Sequence, residues 1–326
     1  MKNISSGKAK TFFVLIGVNI LIIILLTILS PTFVTYGNLS AVMQRMSELG
    51  MLAIAETIVF ISGGFDLSIG VVMALSGAVA GTLNAMGVPF GLVILIALLV
   101  GVGVGVLNSF FVVNLKLQPF IVTLATMSIL RSIVYALLKG NVLTGLPTGF
   151  LDLGYFYILK IPFLFIVFIV TGVLVAILLN KTITGRKIFA VGGNEQTAFL
   201  SGIYVGKIKY LVYILSGLIS AMAGLMFTIR IRAVIPDAGL NAPLEVVTAV
   251  LIGGTTIYGG KGSVLGSILG ILAMYLLLNG FSLLGLNPFW NVIILGIILI
   301  VVVGQEGIGK SLKMLLPGKN REMEAL

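Results

Sequence analysis

KTITGRKIFAVGGNEQTAFLSGIYVGKIK, residues 181–209, is a long polar and basic stretch in a chain that is otherwise oily. Before it runs PFLFIVFIVTGVLVAILLN, residues 162–180, and after it YLVYILSGLISAMAGLMF, residues 210–227. Each flank has the length and composition of a helix that crosses a bilayer, about 20 apolar residues. One polar loop between two such flanks places the chain among polytopic α-helical membrane proteins.

Composition agrees. The chain has 326 residues, 59% apolar and 9% charged, where a soluble domain carries about 25% charged residues. A water-soluble fold of this size needs a polar skin, whereas in lipid the skin itself is apolar. The net charge of +10 has no basic stripe or aromatic interleaving behind it, so no nucleic acid partner is expected. There is no Cys and no His. Disulfides, thiolate metal sites and histidine proton relays are therefore excluded, and no metal site is expected. The N-terminus, with Lys2, Lys8 and Lys10 before an apolar run from Thr11 to Leu29, resembles a signal peptide. The run is longer than a usual signal core and Ser30-Pro31 follows it instead of a cleavage site. It reads as an uncleaved first helix.

Ten spans are predicted, at 12–30, 41–61, 67–87, 90–114, 120–138, 162–180, 208–229, 244–258, 263–283 and 288–304. Turn chemistry separates them, including Ser30-Pro31, Gly63-Gly64, Gln118-Pro119, Gly259-Gly260 and Asn287-Pro288. With the N-terminus inside, fourteen Lys and Arg residues fall in inside loops and four (Lys139, Lys160, Arg230, Arg232) outside. That asymmetry predicts both termini in the cytoplasm. The expected organisation is one transmembrane domain over 1–326, with 181–209 as a cytoplasmic loop and 305–326 as a short basic cytoplasmic tail. Merging 244–258 with 263–283 would reverse everything downstream.

Two kinds of glycine pattern stand out. Gly77/Gly81, Gly101/Gly105, Gly217/Ala221 and Gly266/Gly270 are each four apart, the spacing that lets helix backbones approach closely in lipid. The second pattern is an internal echo. Glu56 leads to Gly63-Gly64 and Glu245 leads to Gly253-Gly254, and each pair precedes a short turn and a helix of small residues. Paired glycine-interrupted segments in two halves of a membrane protein point to a transport pathway.

Ionisable groups inside a membrane cost about 3 kcal/mol at mid-span, so they face a cavity or a partner. Glu56, Asp66, Arg131 and Glu245 are the candidates for a pathway, with the neutral polar residues Asn108 and Thr123. Arg45 and Glu48 lie three apart on one helix and are expected to pair with each other. Asp66 is placed to cap the helix that follows it. Arg131 has no acid within reach on its own helix and needs carbonyls, water or another helix's carboxylate. Gly259-Gly260-Lys261-Gly262-Ser263 fails as a phosphate loop, because Thr255 and Gly262 stand where Gly and Ser or Thr are required. The chain itself is not expected to hydrolyse ATP or to be an enzyme. A membrane aspartyl protease is excluded by the missing GxGD-type signature and by Asp66 and Asp237 falling on opposite sides.

Four segments together resemble the permease subunits of ribose-type sugar ABC importers. They are Gly63-Gly64-Phe65-Asp66-Leu67-Ser68-Ile69-Gly70; Pro119-Phe120-Ile121-Val122-Thr123-Leu124; Gly192-Gly193-Asn194-Glu195-Gln196-Thr197-Ala198 with Ser201-Gly202-Ile203; and Gly253-Gly254-Thr255 with Tyr258-Gly259-Gly260-Lys261-Gly262-Ser263. Order and spacing match from about residue 40 to 304. The resemblance implies a permease of the bacterial cytoplasmic (inner) membrane. Its implied partners are a second permease chain (homodimer or heterodimer), cytoplasmic ABC ATPase subunits that bind the ATP, and an extracytoplasmic sugar-binding protein; no cofactor belongs to this chain. It also implies that Asn194, Glu195, Gln196, Thr197, Ala198, Ser201 and Gly202 couple to the ATPase. Importer permeases carry an EAA-x-x-x-G segment there, of which Ala198 and Gly202 agree, with Gln196 and Thr197 in the other two places. Residues 194–200 read independently as a short helix with Asn194 as N-cap and Gly202 as its stop. The competing reading is an ion-coupled secondary transporter that uses Glu56, Asp66 and Glu245.

Overall fold

The computed structural model of the chain describes residues 2–287, 289–290, 293–298, 300–301 and 304. The expected last span, 288–304, is thus described in part, its described residues from Phe289 onward being helical, and the tail 305–326 lies outside the described residues. In chain order the elements are α1 (Lys2–Leu29), α2 (Tyr36–Ile61), α3 (Ile69–Ala85), α4 (Phe90–Val113), α5 (Pro119–Leu138) and α6 (Thr148–Leu151). A 3₁₀ turn (Asp152–Tyr155) and a small antiparallel hairpin, β1 (Tyr157–Ile158) with β2 (Ile161–Pro162), follow. Then come α7 (Phe163–Lys181), α8 (Ile183–Gly193), α9 (Glu195–Leu200), α10 (Val205–Ile231), α11 (Ala242–Ile252) and α12 (Val264–Leu283). The chain is an all-α membrane protein. Among the described residues, six helices are long and apolar enough to cross a bilayer: Phe12–Leu29 of α1, then α4, α5, α7, α10 and α12.

Most helices lie where the sequence predicts them, but α11 ends at Ile252, short of the predicted span 244–258, and α1 starts at Lys2. Pro119 opens α5, where a missing N–H costs nothing. The hydroxyls of Thr35, Thr182 and Ser263 accept from the N–H of Asn38, Gly185 and Gly266 and so cap α2, α8 and α12. Two helices fill the centre. Every residue of α2 from Met46 to Ile61 is buried, and α10 buries most of its length, while α1, α4, α5 and α7 leave most of theirs on the outside that lipid would cover. α3 and α11 have 17 and 11 residues; such short helices are stable at membrane depth only when protein surrounds them, and both are mostly buried.

Several of the spaced glycines sit where α10 meets its neighbours. A Cβ at Gly101 would overlap the carbonyl oxygen of Gly217, and one at Gly217 that of Gly101. Gly105 stands against the Tyr213 carbonyl, Gly224 against that of Met73, and Gly77 against the Thr228 hydroxyl. α4 and α3 therefore lie on α10 with no side chain between the backbones. Gly266 and Gly270 let α12 approach α11 in the same way, against the carbonyls of Gly253 and Ala249.

The internal echo has a shared geometry. After α2, the Gly63 N–H donates to Phe60 O and the Gly64 N–H to Val59 O. After α11, the Gly254 N–H donates to Leu251 O and the Thr255 N–H to Val250 O. Both are Schellman turns, with Gly63 (φ 78°) and Gly254 (φ 81°) in the left-handed conformation that glycine adopts freely. The glutamates do not correspond. Glu56 lies near the end of α2, Glu245 in the first turn of α11.

Gly217→Val is expected to destabilise the chain by about 1–3 kcal/mol, because α4 has nowhere to move. Gly103→Ala, which faces open space, is expected to cost nothing. Thermal unfolding of the purified protein in detergent reads both.

Candidate functional site

Two sites stand at opposite ends of α2 and α10. At one end a cavity of about 1050 Å³ lies among the first half of α2, the end of α10, the 235–241 segment, α11 and the outer part of α12. Its wall mixes charged groups (Arg45, Glu48, Arg230, Asp237, Glu245) with amides (Asn241, Asn279) and aromatic rings (Phe227, Tyr275).

The charges are mostly held by other helices. Arg230 clasps Glu48 with two donors, Nε to Oε2 at 3.1 Å and Nη2 to Oε1 at 2.5 Å. Glu48 thus pairs across to α10, and the expected pairing with Arg45 on its own helix does not form; Arg45 lines the cavity instead. A bidentate guanidinium fits a carboxylate better than an i,i+3 neighbour bent round a helix does. Arg131 finds carbonyls, one of the three kinds of partner its position called for: Nη1 donates to Pro236 O at 2.6 Å and to Ala238 O at 2.9 Å. One turn further along α5, the Tyr135 hydroxyl donates to Asp237. α5 therefore clamps the 236–238 segment that forms one wall of the cavity. Asn38 and Asn279 exchange amide hydrogen bonds at 3.0 and 2.8 Å.

Of the six residues expected on a pathway, Glu245 lines this cavity. Glu56, Asp66, Asn108 and Thr123 are brought together elsewhere, in a buried network around the turn between α2 and α3. Glu56 Oε1 accepts from the Asp66 N–H at 3.2 Å. Asp66 Oδ1 accepts from the N–H (2.9 Å) and hydroxyl (2.6 Å) of Ser68, and Oδ2 from Ser216 on α10 (2.8 Å). Asp66 thus braces the first turn of α3 through Ser68, the residue before the helix, close to the capping role its position suggested. Asn108 on α4 donates to Ser68 Oγ, and Thr126 on α5 donates to Asn108 Oδ1. Thr123 and Tyr213 both reach Phe65 O. Four helices hold one turn, and none of these side chains lines the large cavity.

The other site is the polar loop. It forms two helices, not one. α8, ITGRKIFAVGG, was missed in the sequence because its glycines and β-branched residues are weak helix formers; the Thr182 cap and burial of Ile188 and Val191 stabilise it. α9 is the helix expected at 194–200. Asn194 Oδ1 accepts from the Thr197 N–H at 2.8 Å. Gly202, at φ 78°, closes it with a Schellman turn whose bonds run from Gly202 N to Phe199 O and from Ile203 N to Ala198 O. Ala198 is buried beneath α9, whereas Phe199 and Leu200 are 67% and 78% exposed. Gln196 lies on the exposed side, Ser201 bonds back to Thr197 O, and Glu195 pairs with Lys209 at the start of α10. α9 is thus a short helix capped at both ends that presents two apolar side chains at its surface.

A family model described as branched-chain amino acid transport system / permease component matches residues 38–303. The chain belongs to this permease family. Among its relatives, the ribose import permease protein RbsC of Bacillus subtilis (strain 168) is 37% identical over 285 residues, 87% of this chain and 88% of the relative. The galactose/methyl galactoside import permease protein MglC of Escherichia coli (strain K12) is 32% identical over 317 residues, 90% and 94% of the two chains. The D-allose transport system permease protein AlsC of the same strain is 31% identical over 301 residues, 92% and 91%. No solved structure matches the chain. The permease is a multi-pass protein of the bacterial cytoplasmic (inner) membrane.

Several groups of the permease's cavity, and of the contacts and buried network around it, carry no local signal. Arg230 read as an outside-loop charge, yet its partner lies 182 residues away. Tyr275 and Ser216 look like ordinary span residues. Asp237 and Tyr135 sit 102 positions apart in sequence.

Arg230→Met is expected to destabilise the permease by about 3–5 kcal/mol, since it leaves the Glu48 carboxylate buried and unpaired. Arg230→Met with Glu48→Leu is expected to recover most of that loss. Denaturation in detergent distinguishes the two variants.

Proposed function

We propose that this permease is the membrane subunit of an ATP-binding-cassette importer and forms the pathway for a simple sugar of the ribose type. The observation that carries the reading is near full-length similarity to permeases named for ribose, galactose and allose. The family's own description names branched-chain amino acids; the sugar reading follows the individual relatives. The cavity suits it: amides and aromatic faces recognise hydroxyl-rich neutral solutes, and Arg230 and Glu48 neutralise each other in its wall.

The proposed arrangement has ten spans with both termini in the cytoplasm, a single transmembrane domain over 1–326 and a basic tail at 305–326. Loop 181–209 then faces the cytoplasm and the cavity faces outward. Asn194, Glu195, Gln196, Thr197, Ala198, Ser201 and Gly202 build and cap the coupling helix, and Phe199 and Leu200 are its contact with an ATPase subunit. An extracytoplasmic sugar-binding protein would deliver solute to the cavity end, and a second permease chain would complete the pathway. ATP binding and hydrolysis belong to the ATPase, and this chain needs no cofactor. Glu245 stands in the pathway wall. Arg131 positions that wall through the 236–238 carbonyls. Glu56, Asp66, Asn108 and Thr123 hold the broken α2–α3 turn that must move when access alternates between the two sides. Ion coupling through Glu56 and Asp66 is disfavoured, because both are buried away from the cavity.

Phe199→Glu with Leu200→Glu is expected to leave the permease in the membrane and reduce the ATPase subunit that co-purifies with it by about ten-fold or more. Undiminished co-purification contradicts the docking assignment.

A further inference from the structure

The end of α8 carries a junction whose glycines lie far apart in sequence. Gly192, in its last turn, is pressed between two turns that belong to different halves of the chain. A Cβ there would overlap the carbonyl oxygen of Ile61, the last residue of α2, and come within 2.8 Å of Gly260 N. From the other side, a Cβ at Gly259 would overlap Gly192 O and stand 2.9 Å from Gly63 Cα. The two turns are also bonded directly, with the Gly260 N–H donating to Ile61 O at 2.9 Å. The Gly63 turn after α2 and the Gly259-Gly260 turn between α11 and α12 therefore meet at Gly192 with bare backbone between them.

We propose that Gly192 is a positioning residue for energy coupling, the contact through which displacement of α8 and α9 reaches both α2 and the 253–263 turn at once. This rests on the importer reading above. The path is short and stiff. Asn194 ends α8 through its own N–H to Ala190 O at 3.2 Å and begins α9 through its side chain, so α9 cannot shift without moving the end of α8. α2 runs without a break from Ile61 to the cavity wall at Ala41–Leu49, and α11 carries Leu244, Glu245 and Thr248 into the same wall. α2 has 26 residues, a rod of about 39 Å at 1.5 Å per residue. Movement at the junction thus tilts the two helices whose far ends form the cavity. Backbone contact suits this, because it has no side-chain rotamers to absorb the displacement.

The neighbouring residue supplies the control. A Cβ at Gly193 would meet nothing within 4 Å, so Gly192→Ala and Gly193→Ala differ only in the junction. The chain contains no cysteine, so a Gly193→Cys/Lys261→Cys pair can be joined uniquely with a short bis-maleimide, each thiol adding across one C=C bond. The measurement is ATP-driven ribose uptake in proteoliposomes that hold the permease, its ATPase and its binding protein, with ATPase co-purification as a second reading. Gly192→Ala is expected to retain its ATPase yet lose uptake by roughly ten-fold or more, the scale of a typical coupling energy. Gly193→Ala is expected to stay within about two-fold of the parent protein. The cross-linked pair is expected to keep transporting, since the joined segments move as one body. Uptake by Gly192→Ala near the parent level, or a cross-link that abolishes uptake, overturns the proposal. If Gly192→Ala fails to reach the membrane, the cross-linked pair decides. A parent protein with no ATP-driven uptake would overturn the importer reading itself, a distinguishable result.

Discussion

Backbone touching backbone is the constraint on which this structure depends. In lipid, helices gain little by hiding apolar side chains from one another, because the surroundings are equally apolar. They associate by approaching closely, and here that approach is as close as a polypeptide allows. Gly101 on Gly217, Gly105 on Tyr213 and Gly224 on Met73 seat α4 and α3 on α10. Gly266 and Gly270 seat α12 on α11. The same device reappears at Gly192, where it joins the polar loop to both interrupted segments.

A bundle fastened in this way separates its polar work into two regions. Around the cavity, most charges are paired or clamped: Arg230 on Glu48, Arg131 on the 236–238 carbonyls, Tyr135 on Asp237. The turn after α2 is fixed by a network that draws on α4, α5 and α10. A cavity with ordered walls at one end and a turn held by several weak bonds at the other suits a protein that alternates between two packings. Each bond in such a network contributes about 0.5–1.5 kcal/mol, little enough to be exchanged for another set.

Much of this was legible in the chain. Composition and the apolar runs on either side of residues 181–209 placed it in the membrane, and four-residue glycine spacings marked the close helix contacts that formed. The Asn194 cap and the Gly202 stop of α9 depend on neighbouring residues alone, so spacing revealed them. Arg131's need for a partner off its own helix followed from its isolation on α5. What escaped the sequence depends on long-range packing. Glu48 had a near partner in Arg45 and a better one in Arg230, and only the fold brings Arg230 within reach. α8 has weak helix formers and exists because Ile188 and Val191 are buried against neighbours. Glu56 and Glu245 looked alike as membrane-entering acids beside glycine pairs, yet one joins a closed network and the other a cavity.

The central claim is that motion begun at the polar loop by a separate ATPase opens and closes a sugar cavity at the far end. Its most direct test is the energy source of solute uptake into proteoliposomes containing the permease, the ATPase and the binding protein. The account predicts accumulation of ribose or a related monosaccharide that requires ATP on the side of α8–α9 and is indifferent to an imposed proton or sodium gradient. Accumulation driven by such a gradient without ATP would contradict it.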